Sequence, residues 1–275
     1  MSGYHRGGFF ERNIKGLHAA MERALYAESS ASAGGLLQAI DPRVKVAGLF
    51  ALIVAVALAS RLWTLAAILA AATILSGLSR ISPRMLATRV WASAFLFSAA
   101  ISVPALFLTP GAAVVSFPNG LAITSAGIRT AAFMLLRVES SATLALLLIF
   151  TTPWTHVLKA LRVFRAPVLL VVILGMTCRY IMLLLETAHE MFEARKSRTV
   201  GALDQGDRRR MAISAAGVLL SRTSQLSGDV YLAMQSRGFR GEVYLLDDFQ
   251  MKPRDWAAAA GFAALTAAAI LAGRR

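Results

Sequence analysis

Long apolar runs broken by short polar punctuation organise this chain. Four of them, at 44–59, 62–78, 90–108 and 123–150, are long enough to cross a hydrocarbon core of roughly 30 Å as helices. The first two are joined so tightly around Ser60-Arg61 that they must form a helical hairpin. A fifth apolar stretch, DWAAAAGFAALTAAAILAGRR, ends the sequence and is of spanning length. Ahead of these, Phe10, Ile14, Leu17, Met21 and Leu25 recur at three- and four-residue steps. That spacing predicts an amphipathic helix lying on the membrane surface or on a partner. After Thr151-Thr152-Pro153, the segment WTHVLKALRVFRAP predicts a short amphipathic helix with Lys159, Arg162 and Arg165 on its polar side. A long helix then starts at Pro167 as PVLLVVILGMTCRYIMLLLE and turns polar without a break. A turn, VGALDQGD, separates it from a second helical stretch over 208–235, which ends in SRGFRG.

Composition agrees with a membrane location. Hydrophobic residues make up 57% of the 275, and mean hydropathy is +0.60. The 29 basic residues exceed the 15 acidic ones by 14. In a membrane protein such an excess marks cytoplasmic loops more often than nucleic-acid binding, and no nucleic-acid partner is expected. No cleavable signal peptide is expected, because the first 40 residues are amphipathic and lack an apolar core. The single Cys178 excludes an internal disulfide framework, and His5, His18, His156 and His189 are too scattered to suggest a metal-ligand cluster.

Charge also decides the topology expected for 168–185. If that run spans and the N-terminus is cytoplasmic, the loop 186–254, with eleven Lys and Arg, lies outside, against the positive-inside tendency. If it lies along or under the bilayer instead, 24 basic residues are cytoplasmic, Arg129 and Arg137 sit in the fourth span, and only Arg61, Arg274 and Arg275 are outside. Arg179, near the middle of the run, favours the second arrangement, since a central charge facing lipid costs several kcal/mol. The expectation is five spans, with the N-terminus in, the C-terminus out, and Arg43 and Lys45 as basic anchors of the first span.

Two helices thus finish on short arginine motifs, Ala194-Arg195-Lys196 and Ser236-Arg237-Gly238. Unpaired carbonyls at a helix C-terminus favour a cation, and Gly238 suits a left-handed C-cap. Each arginine alone could be a solvated residue at a helix end. Paired, they suggest two plugs for a symmetric partner, with each guanidinium available to a buried carboxylate. Arg129, Arg137 and Glu139 in the fourth span offer another reading, a polar path through a standalone carrier or channel. No Walker-type GxxxxGK[ST] run, HExxH, zinc spacing or GxSxG elbow occurs, so no catalytic centre and no resident metal are expected.

The amphipathic N-terminal helix, LLQAIDPRVKVAG, TTPWTHVLKALRVFRAP, RYIMLLLE and the two arginine motifs together resemble the transmembrane T component of energy-coupling factor (ECF) transporters. The resemblance is closest to the CbiQ group of cobalt and nickel systems and covers essentially the whole chain. It implies an all-α membrane protein of about five transmembrane helices plus an L-shaped set of cytoplasmic and interfacial coupling helices. The division it implies is an N-terminal helix at 1–43, a four-span bundle at 44–150, coupling helices at 151–253 and a final span at 254–275. It further implies a non-catalytic subunit of an ATP-driven cobalt importer in the bacterial cytoplasmic (inner) membrane. The partners would be two ABC-type ATPase subunits and a substrate-binding integral membrane subunit, with or without a small accessory membrane protein. ATP and Mg would bind the partner ATPases, and no cofactor would bind this chain. Arg195 and Arg237 would dock the ATPases, with Ala194 and Gly238 matching the family pattern. Lys196 stands where the family has Gly, and Ser236 where it has Ala. The first departure makes Arg198 a second candidate, and Arg240 is a further one. Leu170, Ile173, Met176, Tyr180 and Leu184 would form the apolar stripe that meets the substrate-binding subunit.

Overall fold

The structure, a computed structural model, describes residues 15–19, 22, 35–79, 81, 86, 88, 91–116, 122–199, 204–239 and 251–274. It divides into two compact units. One comprises Met1–Tyr26 with Leu161–Asp248, the other Ala27–Ala160 with Phe249–Arg275. The fold is that of an all-α membrane protein, with one short β-hairpin among the described residues.

The second unit is a bundle of helices α1 (Pro42–Leu58), α2 (Leu62–Leu78), α3 (Ala92–Leu108), α4 (Ser125–Thr151) and α8 (Pro253–Arg274). The expected hairpin of the first two is present, turning over three residues. Local chemistry explains where the helices begin. Asp41 caps α1 by accepting from the Arg43 N–H at 2.8 Å, and Pro42, which lacks a donor, takes the first helical position. Thr124 caps α4 by accepting from the Gly127 N–H at 3.0 Å, so the helix starts two residues inside the apolar run that opens at 123. Between α3 and α4, Ala113–Ser116 (β1) pairs antiparallel with Ala122–Thr124 (β2), a feature absent from an all-helical expectation.

The core of this unit joins four helices through Leu49, Leu52 and Val56 of α1, Leu65 of α2, Leu147 of α4 and Phe262 of α8. Two glycines set the approach distances. A Cβ on Gly48 would lie 2.5 Å from Phe262 Cγ, so the bare backbone of α1 receives the ring from α8. A Cβ on Gly127 would lie 2.7 Å from the Leu106 carbonyl, so α4 meets the end of α3 backbone to backbone. Such small residues drive packing in lipid, where no hydrophobic gain separates a helix contact from a lipid contact.

A polar clamp secures one end of the bundle. Lys45, expected as an interfacial anchor, is instead 1% exposed, and its Nζ donates to the Thr151 carbonyl at 2.8 Å. Asp255, in the first turn of α8 and 4% exposed, accepts from the Asp41 N–H and the Lys252 N–H, both at 2.8 Å. The carboxylates of Asp41 and Asp255 also act electrostatically on Lys45. A lysine one turn into an apolar helix has no water to meet, so it is retained only where carbonyls and carboxylates replace that water.

In the first unit, α6 (Val168–Arg198) and α7 (Gln205–Ser236) are helices of 31 and 32 residues. They follow α5 (Trp154–Val163), the short amphipathic helix expected from the sequence, which runs across the boundary between the units. Its C-terminus closes with Arg165 at φ 63°, where the Arg165 N–H bonds the Arg162 carbonyl and the Ala166 N–H that of Leu161. Ala188 alone is buried on α6 and Ala215 alone on α7. By length and composition α4, α6 and α8 could each cross a membrane, and α2 and α3 are shorter apolar helices.

Candidate functional site

Both arginine motifs lie in the first unit, at the ends of α6 and α7, and the two ends are finished differently. At the end of α7 the chain forms a Schellman closure. The Gly238 N–H bonds the Gln235 carbonyl at 2.9 Å and the Phe239 N–H the Met234 carbonyl at 3.0 Å. Gly238 adopts φ +72°, the left-handed conformation expected of it, which a Cβ would disfavour. Arg237 is the C-cap residue of this turn. Ser236, Arg237 and Gly238 are all exposed, and the Arg237 guanidinium forms no hydrogen bond or ion pair among the described residues.

At the end of α6 the arginine is tethered. Arg195 Nη1 donates to the Met211 carbonyl at 3.1 Å and Nη2 to Ser214 Oγ at 3.2 Å, so its fork reaches across to α7. Thr199 Oγ1 donates back to the Arg195 carbonyl at 2.8 Å and satisfies one of the last helical acceptors. Ala194, Lys196 and Arg198 are exposed, and Arg198, three residues on, forms no such bond among the described residues. Arg240 lies outside the described residues.

The apolar stripe is where its spacing puts it, along one face of α6. Leu170 is 45% and Ile173 54% exposed, while Met176, Tyr180 and Leu184 are half-buried. Ile181 and Leu183 beside them are 50% and 41% exposed, and Arg179 is exposed as well. An apolar face of this extent, on a helix that buries little of itself, needs lipid or protein to cover it.

The alternative polar path is not assembled. Arg137 Nη2 donates to the Ala59 carbonyl at 2.9 Å, Arg129 stands over the Phe133 ring at 5.8 Å, and both Glu139 oxygens are buried without a hydrogen-bond partner. No hydrogen bond or ion pair joins the three.

Two features escaped the sequence reading. His18 lies in a helical stretch at residues 15–19 and 22, the described part of the N-terminal helix, and its ring centroid is 6.2 Å from that of His189 on α6. Each histidine pairs with a glutamate four residues on, Glu22 at 3.4 Å and Glu193 at 3.6 Å. The repeated His-x-x-x-Glu spacing was a legible signal for each pair, but nothing local indicated that the two would meet. Phe10, Ile14, Met21 and Leu25 of the predicted amphipathic face lie outside the described residues. The second feature is the polar clamp that includes Lys45 and Asp255, whose only sequence signal was an acidic residue within two positions of a proline at each helix start.

A model of the CbiQ family, described as a cobalt transport protein, matches residues 35–245, from just before α1 to beyond the second arginine motif. The chain belongs to the CbiQ cobalt transport family. Its relatives include an uncharacterized protein of Methanocaldococcus jannaschii, 31% identical over 250 residues, or 90% of this chain and 86% of that one. The cobalt transport protein CbiQ of Rhodobacter capsulatus is 32% identical over 157 residues, 54% of this chain and 63% of that protein. As a CbiQ-family chain it is a membrane component of a transport system. The match includes α6, α7 and the two helix ends, together with the bundle from α1 to α4.

Proposed function

We propose that this chain is the transmembrane coupling subunit of an ECF-type ABC importer, with cobalt ion as cargo. The observation that carries this reading is the pair of arginine-bearing helix ends. One presents an unpaired guanidinium on a closed Schellman turn, and the other holds its arginine at the neighbouring helix. In this reading each end enters a groove on one of two ABC-type ATPase subunits, where a carboxylate receives the guanidinium in bidentate fashion. The ATPases bind ATP and Mg, and this chain contributes no cofactor and no catalytic group. ATP-driven closure of the ATPases moves the two ends relative to each other. The Leu170–Leu184 stripe passes that motion to a separate substrate-binding membrane subunit, with or without a small accessory membrane protein, which then releases its cargo inward. The N-terminus and the α6–α7 unit lie on the cytoplasmic side of the cytoplasmic membrane.

Arg195 and Arg198 are the two candidates for the first docking role. The bonds from Arg195 to Met211 and Ser214 must open before it can enter a groove, whereas Arg198 is already free of such bonds. Co-purification from native membranes in mild detergent tests the reading. The wild-type chain should bring down an ABC-type ATPase and a small membrane protein. Arg195→Glu with Arg237→Glu should abolish recovery of the ATPase, and comparison with Arg198→Glu identifies the docking residue of the first motif. Undiminished recovery with all three replaced would overturn the proposal.

A further inference from the structure

The bundle unit carries a groove that the coupling role leaves unused. Its walls are α2 and α8, and its floor is formed by Leu49, Leu52, Leu144 and Leu147 of α1 and α4. It exists because Ala67 and Ala71 on one wall, and Ala268 and Ala272 on the other, recur at four-residue spacing and leave the space between the helices unfilled. Trp63 and Thr64 are the lining residues that carry a polar side-chain atom, Trp63 at the mouth and Thr64 with its hydroxyl already donating to the Arg61 carbonyl at 2.7 Å. The interior therefore offers an occupant chiefly apolar contact.

Size and shape restrict that occupant. The cleft is about 180 Å³, little more than the roughly 150 Å³ cavity that admits a benzene molecule. That is space for a slender chain, whereas a helix with its side chains is about 10 Å across. From Trp63 to Leu75 the α2 wall runs about 18 Å at 1.5 Å per residue, close to the depth of one leaflet in a core of about 30 Å.

One end of the groove is cationic. α1 and α8 run parallel, with Gly48 meeting Phe262 and a Cβ on Gly273 falling 3.3 Å from Ala59 Cα, so α8 ends beside the Ala59–Arg61 turn. Arg61 is half-exposed there, and Arg137 is held at the same turn by its bond to the Ala59 carbonyl. Trp63, 57% exposed, stands at this mouth, and the sequence has no acidic residue between Asp41 and Glu139. Aromatic and basic side chains together are the groups that meet lipid headgroups.

We propose that this groove binds one acyl chain of an anionic phospholipid, whose phosphate sits at the Arg61 and Arg137 end. The site is independent of ATPase docking. Native mass spectrometry of the full-length protein, exchanged into mixed phosphatidylglycerol and phosphatidylcholine nanodiscs and then released, tests it. The wild type should retain about one phosphatidylglycerol, preferred about fivefold over phosphatidylcholine, as expected for the one basic side chain there, Arg61, that is not already committed to a backbone carbonyl as Arg137 is. Ala71→Phe and Ala268→Phe fill the groove from opposite walls, and each should remove the retained lipid while melting near the wild-type temperature. Arg61→Gln, outside the groove, should keep a lipid but lose the preference. If both filled variants fail to fold, the Arg61→Gln result decides alone. Lipid retention unchanged by filling, an unchanged preference in Arg61→Gln, or loss of a protein partner instead of lipid would each overturn the proposal.

Discussion

Replacing Asp255 by alanine should loosen the α8 end of the bundle more than its position at a helix start suggests. The carboxylate accepts two backbone N–H bonds at 2.8 Å, one from Asp41 across 214 residues of sequence and one from Lys252. It also attracts the ammonium of Lys45, which is 1% exposed, donates to the Thr151 carbonyl and keeps only the more distant field of Asp41 when Asp255 is gone. Bonds to a charged acceptor contribute about 1.5–3 kcal/mol each, and the Coulombic attraction between Asp255 and Lys45 adds to them. These contributions overlap, so a loss of about 3–5 kcal/mol is expected for Asp255→Ala. Asp255→Asn retains an acceptor oxygen without the charge and should lose about half as much. The assay is reversible unfolding by dodecyl sulfate in mixed micelles, followed by tryptophan fluorescence and circular dichroism. Adding Lys45→Met to Asp255→Ala removes the stranded ammonium, so the double variant should lose less than the sum of the two single losses. Strict additivity, or an Asp255→Ala variant as stable as the wild type, would refute the clamp.

Three further substitutions probe the backbone. Gly127→Ala puts a Cβ 2.7 Å from the Leu106 carbonyl and should destabilise the bundle by about 1–3 kcal/mol. Gly217→Ala, on the exposed face of α7 with nothing within 4 Å, should instead stabilise its helix by up to about 1 kcal/mol. Melting curves showing the same sign for both would contradict the close approach of α3 and α4. Arg165→Gly should stabilise the turn after α5 by about 1 kcal/mol, because a left-handed φ of 63° disfavours any residue with a Cβ. Hydrogen exchange of the Arg165 and Ala166 amides reads this directly, and faster exchange in the glycine variant would contradict it.

Much of the helical layout was legible because, in lipid, a backbone must satisfy its own hydrogen bonds and so an apolar run becomes a helix. The runs at 44–59, 62–78, 90–108 and 123–150 became α1 to α4 with ends shifted by at most two residues. Gly238 announced its own capping role, since a cap is decided by a few neighbouring atoms. The β-hairpin before α4 was missed because Val and Ile in a short apolar stretch serve strand and loop alike. The arginine motifs were visible as residues at helix ends. The bonds from Arg195 to α7 were not, because they depend on how α6 and α7 fold back on one another.

The sequence by itself therefore determined that this is a membrane protein of helices, where most of those helices begin and end, and which arginines stand at their ends. All of that follows from local periodicity, capping and charge. Tertiary structure decided the partners. It turned Lys45 from an interfacial anchor into a buried clamp on Thr151, brought Asp255 to Asp41, laid His18 beside His189 and took Arg137 to the Ala59 carbonyl. Periodicity says which face of a helix is apolar. Which neighbour covers that face depends on shape, such as the Phe262 ring lying against Gly48, and no local pattern records that shape.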